Sequence, residues 1–168
     1  MFLEELLPRS YKQIIQQIDN LRSNNSKEAL NLVSEIFEHQ EISKISGEIM
    51  GPVLNAVFTK TVSEKGFLKR EAKKAVGFLT RKYNPCLVEE LSSFTQSHHS
   101  SISEEAIRIL CEYLEFNKVS EFSPGFYRIL SINLDGKRAV LQKRAKEIIQ
   151  NLKNRIGSNL IIQENRIL

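Results

Sequence analysis

Tryptophan is absent from this chain, and cysteine occurs only at Cys86 and Cys111. Two cysteines build no disulfide framework, and they are not spaced as Cys-x-x-Cys, which sets aside zinc ribbons and dithiol redox chemistry. Each lies on the apolar side of a helical pattern, so buried free thiols in a reducing compartment are expected. The seven glycines are scattered. Gly66, Gly136 and Gly157 read as turn residues, and no glycine-rich loop could cradle a phosphate. No serine stands in a nucleophile elbow. No apolar run approaches the ~20 residues that cross a bilayer. The first residues, Met-Phe-Leu-Glu-Glu-Leu-Leu-Pro, carry acids and no basic stretch, unlike a secretion signal. A cytoplasmic protein that is not an enzyme, needs no cofactor and has no membrane partner is the expectation.

Metal and acid–base candidates are thin. His98-His99 are neighbours without further ligands nearby, so polar loop residues are expected rather than a metal site. Glu89-Glu90 and Glu104-Glu105 read as solvated helix faces rather than paired catalytic carboxylates. The net charge of +4 is a mild basic excess that suits an acidic partner.

Four prolines are present, and they mark a repeat. Pro8, Pro52, Pro85 and Pro124 are followed 21, 20, 21 and 21 residues later by Ala29, Ala72, Ala106 and Ala145. Apolar residues follow each alanine at plus three, plus four and plus seven: Leu32, Val33 and Ile36; Ala75, Val76 and Leu79; Ile109, Leu110 and Tyr113; Ile148, Ile149 and Leu152. Leu68, Ile102 and Leu141 stand four before the last three alanines, where the first repeat has Asn25. This is one apolar stripe per helix, with a small residue that admits a close neighbour.

Asn84-Pro85 and Ser123-Pro124 predict an N-cap followed by proline at the first helical position. Asn25 with Glu28, and Ser101 with Glu104, predict capping boxes. Pro52 falls inside an expected helix of about 44–61 and should kink or restart it. The expectation is an all-α fold, an α-solenoid of four HEAT-like helical hairpins near 8–39, 43–82, 84–117 and 120–156. These form a single domain over 1–156, followed by a tail or cap at 157–168 in which Leu160, Ile161 and Ile162 could dock.

In such hairpins the loops within each pair share an edge. Here they span 23–26, 63–66, 96–101 and 133–137, and Arg22, Lys27, Lys65, Lys69, Arg70, His98, His99, Lys137 and Arg138 lie on or beside them. Acids there are fewer: Glu28, Glu64, Glu71 and Asp135. Lysine at a helix start opposes the helix dipole, which favours a binding role for Lys69 and Arg70 over a structural one.

The run Phe67-Leu68-Lys69-Arg70-Glu71-Ala72-x-x-Ala75, continued by Pro85, Leu87, Leu91, Ser97-His98, Ile102 and Ala106, resembles a HEAT repeat of a TOG domain. It is most like the crescerin (TOG array regulator of axonemal microtubules) and CLASP type. The resemblance is clearest over 55–115. It implies binding of tubulin or microtubules in the cytoskeleton, at a cilium or centrosome. Lys27 would then lie in the first contact loop, Lys65, Lys69 and Arg70 in the second, His98 and His99 in the third, and Lys137 and Arg138 in the fourth. The chain departs from the TOG pattern in its smaller number of hairpins, its lack of tryptophan and the absence of a basic residue after Ile102. The alternative is a HEAT-repeat scaffold or dimerisation domain that ignores tubulin. Nucleic-acid binding by Lys137, Arg138, Lys143, Arg144, Lys146, Lys153 and Arg155 ranks last, since no nucleic-acid motif accompanies them.

Overall fold

A computed structural model describes residues 2–39, 42–117 and 122–156. The expected tail or cap at 157–168 lies outside the described residues. Among those described there are eight α-helices and no strand. They run α1 Phe2–Ile18, α2 Ser23–His39, α3 Gly47–Thr61, α4 Gly66–Leu79, α5 Leu87–Phe94, α6 Ser100–Phe116, α7 Pro124–Asp135 and α8 Ala139–Ile156. A 3-10 turn, Ile42–Lys44, precedes α3. The four expected hairpins are therefore present, each closed by a short loop, as antiparallel helix pairs require. The fold is all-α and built from the repeated hairpin of the α-solenoid class.

The chain divides into two compact units, one up to Glu90 and one from Leu91 onward. In the first unit α1 packs on α2 and α3, and α4 packs on α2 and α3. The second helices of successive hairpins thus lie side by side, as do the first. Helix α3 is covered from two directions, and its apolar residues run around the helix accordingly: Met50, Val53, Leu54, Ala56, Val57 and Phe58 are all buried. In the second unit α8 packs against both α6 and α7.

The repeat alanines do what the spacing predicts. Ala72, Ala106 and Ala145 are fully buried and Ala29 nearly so, flanked by the buried Val33, Val76, Leu79, Leu110, Tyr113, Ile148 and Leu152. A methyl group at these points lets the neighbouring helix approach closely. At ~25 cal/mol per Å² of apolar area, such stripes supply the main drive for stacking. Leu32 departs from the pattern and remains 44% exposed on the outer side of α2.

Several local expectations are corrected. Helix α3 runs unbroken through Pro52. The ring is exposed in the second turn, where the carbonyl it leaves unpaired, that of Glu48, can turn to water. Asn84 and Pro85 do not open a helix, because α5 begins two residues later. Asn84 is instead fully buried. Its Nδ2 donates to the carbonyls of Ile42 (2.5 Å) and Ile45 (3.0 Å), and its Oδ1 accepts from the Cys86 N–H (2.8 Å). Asn25 and Ser101 lie inside α2 and α6 rather than at their caps, and His99 holds the N-cap position of α6 without a side-chain bond. Only Ser123 caps as expected, its Oγ accepting from the Phe126 N–H at 3.2 Å.

The acidic pairs are not uniformly solvated. Glu105 is 9% exposed and held by Arg108 Nη2 at 2.8 Å, while Arg108 Nη1 also pairs with Glu112. Glu90 is half-buried against α3 in the first unit. A Cβ on Gly51 would come within 2.7 Å of its Oε2, so glycine there makes room for the carboxyl group. Desolvation, helped by the neighbouring Glu89, pushes the Glu90 carboxyl above its ordinary pKa. Cys111 is buried, but Cys86 is only half-buried. Burial pushes the Cys111 thiol up to about 12, the Arg144 cation opposing this and nearby glutamates reinforcing it. It is a packing residue with no thiolate chemistry at neutral pH.

Candidate binding surface at the hairpin loops

The loops that close the hairpins are drawn together within each unit. In the first, α1 turns into α2 at 19–22, and α3 into α4 at 62–65. Lys65 stands just before α4 and its Nζ donates to Ser23 Oγ at the start of α2. The loop before α2 is held by its own bonds: the Arg22 N–H donates to Asn20 Oδ1 at 2.8 Å, and buried Ser26 donates to the Ile18 carbonyl at 2.7 Å. Around this junction Lys27 is half-buried, while Arg22, Lys69 and Arg70 are exposed. Arg70 Nε lies 3.2 Å from Glu71 Oε1, and the Glu71 side chain is only 13% exposed, so part of that cation's charge is already answered. Leu21, at the tip, is 97% exposed and unlike anything the charge pattern announced.

The second unit repeats the device. Arg138, just before α8, donates through Nη1 to the Ser97 carbonyl (3.1 Å) and Ser103 Oγ (2.6 Å), and through Nη2 to the His98 carbonyl (3.5 Å). Of the residues placed on this edge by sequence, Arg138 is thus turned inward and half-buried, whereas His98, His99 and Lys137 are exposed. The arginine fork suits this task, since one planar group answers several acceptors at once.

A polar network that the sequence did not disclose lies beneath these loops. Asn133 Nδ2 donates to Thr95 Oγ1 at 2.9 Å, and Gln96 Nε2 donates to Asn133 Oδ1 at 2.9 Å. Thr95 and Asn133 are almost wholly buried. The one available signal was polar residues standing at the ends of α5 and α7 where the apolar stripe would otherwise continue. Above the network is a cavity of about 260 Å³ lined by Thr95, Gln96, Ile132, Asn133, Gly136, Lys137, Arg138 and Leu141.

The electrostatics of both loop clusters have a common cause. None of the second helices of the hairpins, α2, α4, α6 and α8, carries an acid in its first turn. No acid in these turns answers the helix dipole, and cations are added beside them. Among the described residues, no group of three or more His, Cys, Asp or Glu side chains could hold a metal ion. No helix among them is long and apolar enough to cross a membrane.

No protein-family model matches the chain, and no curated protein matches it. Among solved structures it matches an engineered protein at 17% identity and a TM-score of 0.42, over 86% of this chain and 62% of that one. A second engineered protein matches at 16% identity and a TM-score of 0.45, over 92% of this chain and 39% of that one. A designed armadillo repeat protein in complex with the peptide (KR)4 matches at 14% identity and a TM-score of 0.38, over 90% and 84%. The chain therefore spans less than two thirds of the two engineered proteins.

Proposed function

We propose that the chain is a non-enzymatic binding module that takes an acidic protein surface on the loop ends of its hairpins. The observation that carries this reading is the lack of an acid in the first turn of each second helix, with cations placed on the adjoining loops. A charge arrangement of this kind accelerates encounter with a negative surface and orients it. In this reading Lys27, Lys69, Arg70, His98, His99 and Lys137 face the partner, while Lys65 and Arg138 also secure the loops that present them. Residues 1–156 act as one binding domain.

The more specific form of the reading is a TOG-like module for tubulin or microtubules at the cytoskeleton, in a cilium or at the centrosome. It is tested by co-elution of the purified protein with unpolymerised αβ-tubulin on size exclusion, at low and at physiological salt. A salt-sensitive complex that disappears in the Lys69→Glu/Arg70→Glu double variant, at unchanged thermal stability, is the expected result. A complex untouched by that reversal would remove this edge from the binding site. Absence of any complex at low salt would remove tubulin. A second reading, a scaffold or self-associating domain, is favoured by Phe116, which is 62% exposed at the end of α6. It predicts that Phe116→Ser abolishes an association that charge reversal leaves intact.

A further inference from the structure

The cavity in the second unit has a composition that selects among ligands. At about 260 Å³ it falls below the ~300–1,000 Å³ of clefts that enclose whole small molecules. It can hold one side chain together with several waters of ~30 Å³ each. Its charged lining residues are Lys137 and Arg138, and no carboxylate lines it among the described residues. Asp135, the nearest acid in sequence, is exposed and is not part of the wall. The end of α7 and the start of α8 both adjoin this loop. Their dipoles, about half a charge each and of opposite sign, offset one another. The two cationic side chains therefore decide the sign of the potential. Ile132 and Leu141 supply apolar wall, and Gln96 stands beside them with its amide N–H groups given to Thr95 Oγ1 and Asn133 Oδ1.

The two cations are not equivalent. The three bonds that Arg138 donates to Ser97, Ser103 and His98 fix it in place. Its charge remains, but those donors are committed. Lys137 is exposed and reaches the cavity rim.

We propose that this cavity seats a single glutamate side chain of the partner polypeptide, with Lys137 as its counter-charge. The methylenes of the glutamate lie along Ile132 and Leu141, and its carboxylate meets the Lys137 ammonium. The inference rests on the reading that the partner presents an acidic protein surface, and it turns a diffuse basic edge into a defined subsite.

The test is titration of the ¹⁵N-labelled protein with an acetylated, amidated oligoglutamate peptide at low salt, with the glutamine peptide as control. Saturable shifts of the amides at 95–96 and 132–138, seen with glutamate and not with glutamine, are expected. Lys137→Ala weakens binding about two- to fivefold, the range for one partly exposed charge pair. Ile132→Trp, a change at a half-exposed position that crowds the apolar wall of the cavity while keeping every charge, removes those shifts. Thermal melting of each variant verifies folding, and Lys137→Ala decides alone if the tryptophan variant melts early. Oligoglutamate binding with shifts elsewhere, or binding equal in both variants, overturns the subsite while the basic edge stands. Failure of both oligoglutamate and αβ-tubulin to bind at low salt overturns the subsite and the acidic-partner reading together.

Discussion

Replacing Arg138 separates a residue that holds the surface from residues that touch the partner. Its guanidinium makes two well-formed bonds, at 2.6 Å to Ser103 Oγ and 3.1 Å to the Ser97 carbonyl, and one at the limit of reach, 3.5 Å to the His98 carbonyl. Bonds to a charged group contribute about 1.5–3 kcal/mol each where desolvated. Arg138 is half-buried, so solvent screening reduces that figure by about half. Two full bonds at the reduced value put the cost of Arg138→Ala at about 2 kcal/mol. Lysine at this position keeps the charge but cannot fork to several acceptors, so Arg138→Lys should cost about 1 kcal/mol. Lys137→Ala, one residue away and exposed, should lie within about 0.5 kcal/mol of the parent. Urea unfolding of the four proteins measures this directly. Amide exchange should quicken at 97–99 in Arg138→Ala only. Equal stabilities for Arg138→Ala and Lys137→Ala would refute the assignment and return Arg138 to the partner-facing set.

Other outcomes follow from the same reasoning. Asn84→Ala removes three side-chain bonds, one buried and two part-buried, and should cost about 3 kcal/mol in urea unfolding, at ~1 kcal/mol per bond; a cost below about 1 kcal/mol would show that the 42–45 and 84–86 segments are not stapled there. Glu90 has a raised carboxyl pKa in the folded state, so its contribution is fully present below the unfolded pKa and is lost as pH rises through the folded one. Glu90→Gln should therefore gain stability relative to the parent as pH rises above the ordinary carboxylate range of about 4, and a difference that is flat with pH would contradict the desolvation. With its thiol pushed up to about 12, Cys111 should resist alkylation of the native protein at pH 8, while half-buried Cys86 reacts; equal native rates at the two sites would rule this out.

The hairpins were legible because their physics is periodic. A small residue with apolar partners at plus three, plus four and plus seven produces a helix with one buried face, and the regular recurrence of that face requires stacking. The capping signals failed for a related reason. Asn25 and Ser101 match the spacing of a capping box, but α2 and α6 begin earlier, since the loops before them are closed by other means. At Arg22 that means is the Asn20 side chain, and at His99 it is the Ser97 hydroxyl accepting the His99 N–H at 3.3 Å. Asn84 was misread because its side-chain bonds reach residues some forty positions away. A local motif is indistinguishable in sequence from a long-range staple made by the same residue type.

The candidate surface was legible only as a location. Sequence places nine basic or histidine side chains near the loops but treats them alike, because charge does not reveal where a side chain points. The fold sorts them by what lies within reach. Lys65 finds Ser23, Arg70 finds Glu71, and Arg138 finds two carbonyls and a hydroxyl. The common factor is an acceptor within the protein, whether on the same helix or on a neighbouring one, that can satisfy a cation without a partner protein. Lys69, His98, His99 and Lys137 are exposed, and their side chains make no salt bridge or hydrogen bond to another of the described residues. A bound acidic surface would supply what these side chains take from water in the free protein. The energy available from each is small, roughly 0.2–1 kcal/mol for an exposed pair. Affinity must therefore come from several acting together, or from a site such as the cavity above Thr95 and Asn133, where apolar wall and charge meet.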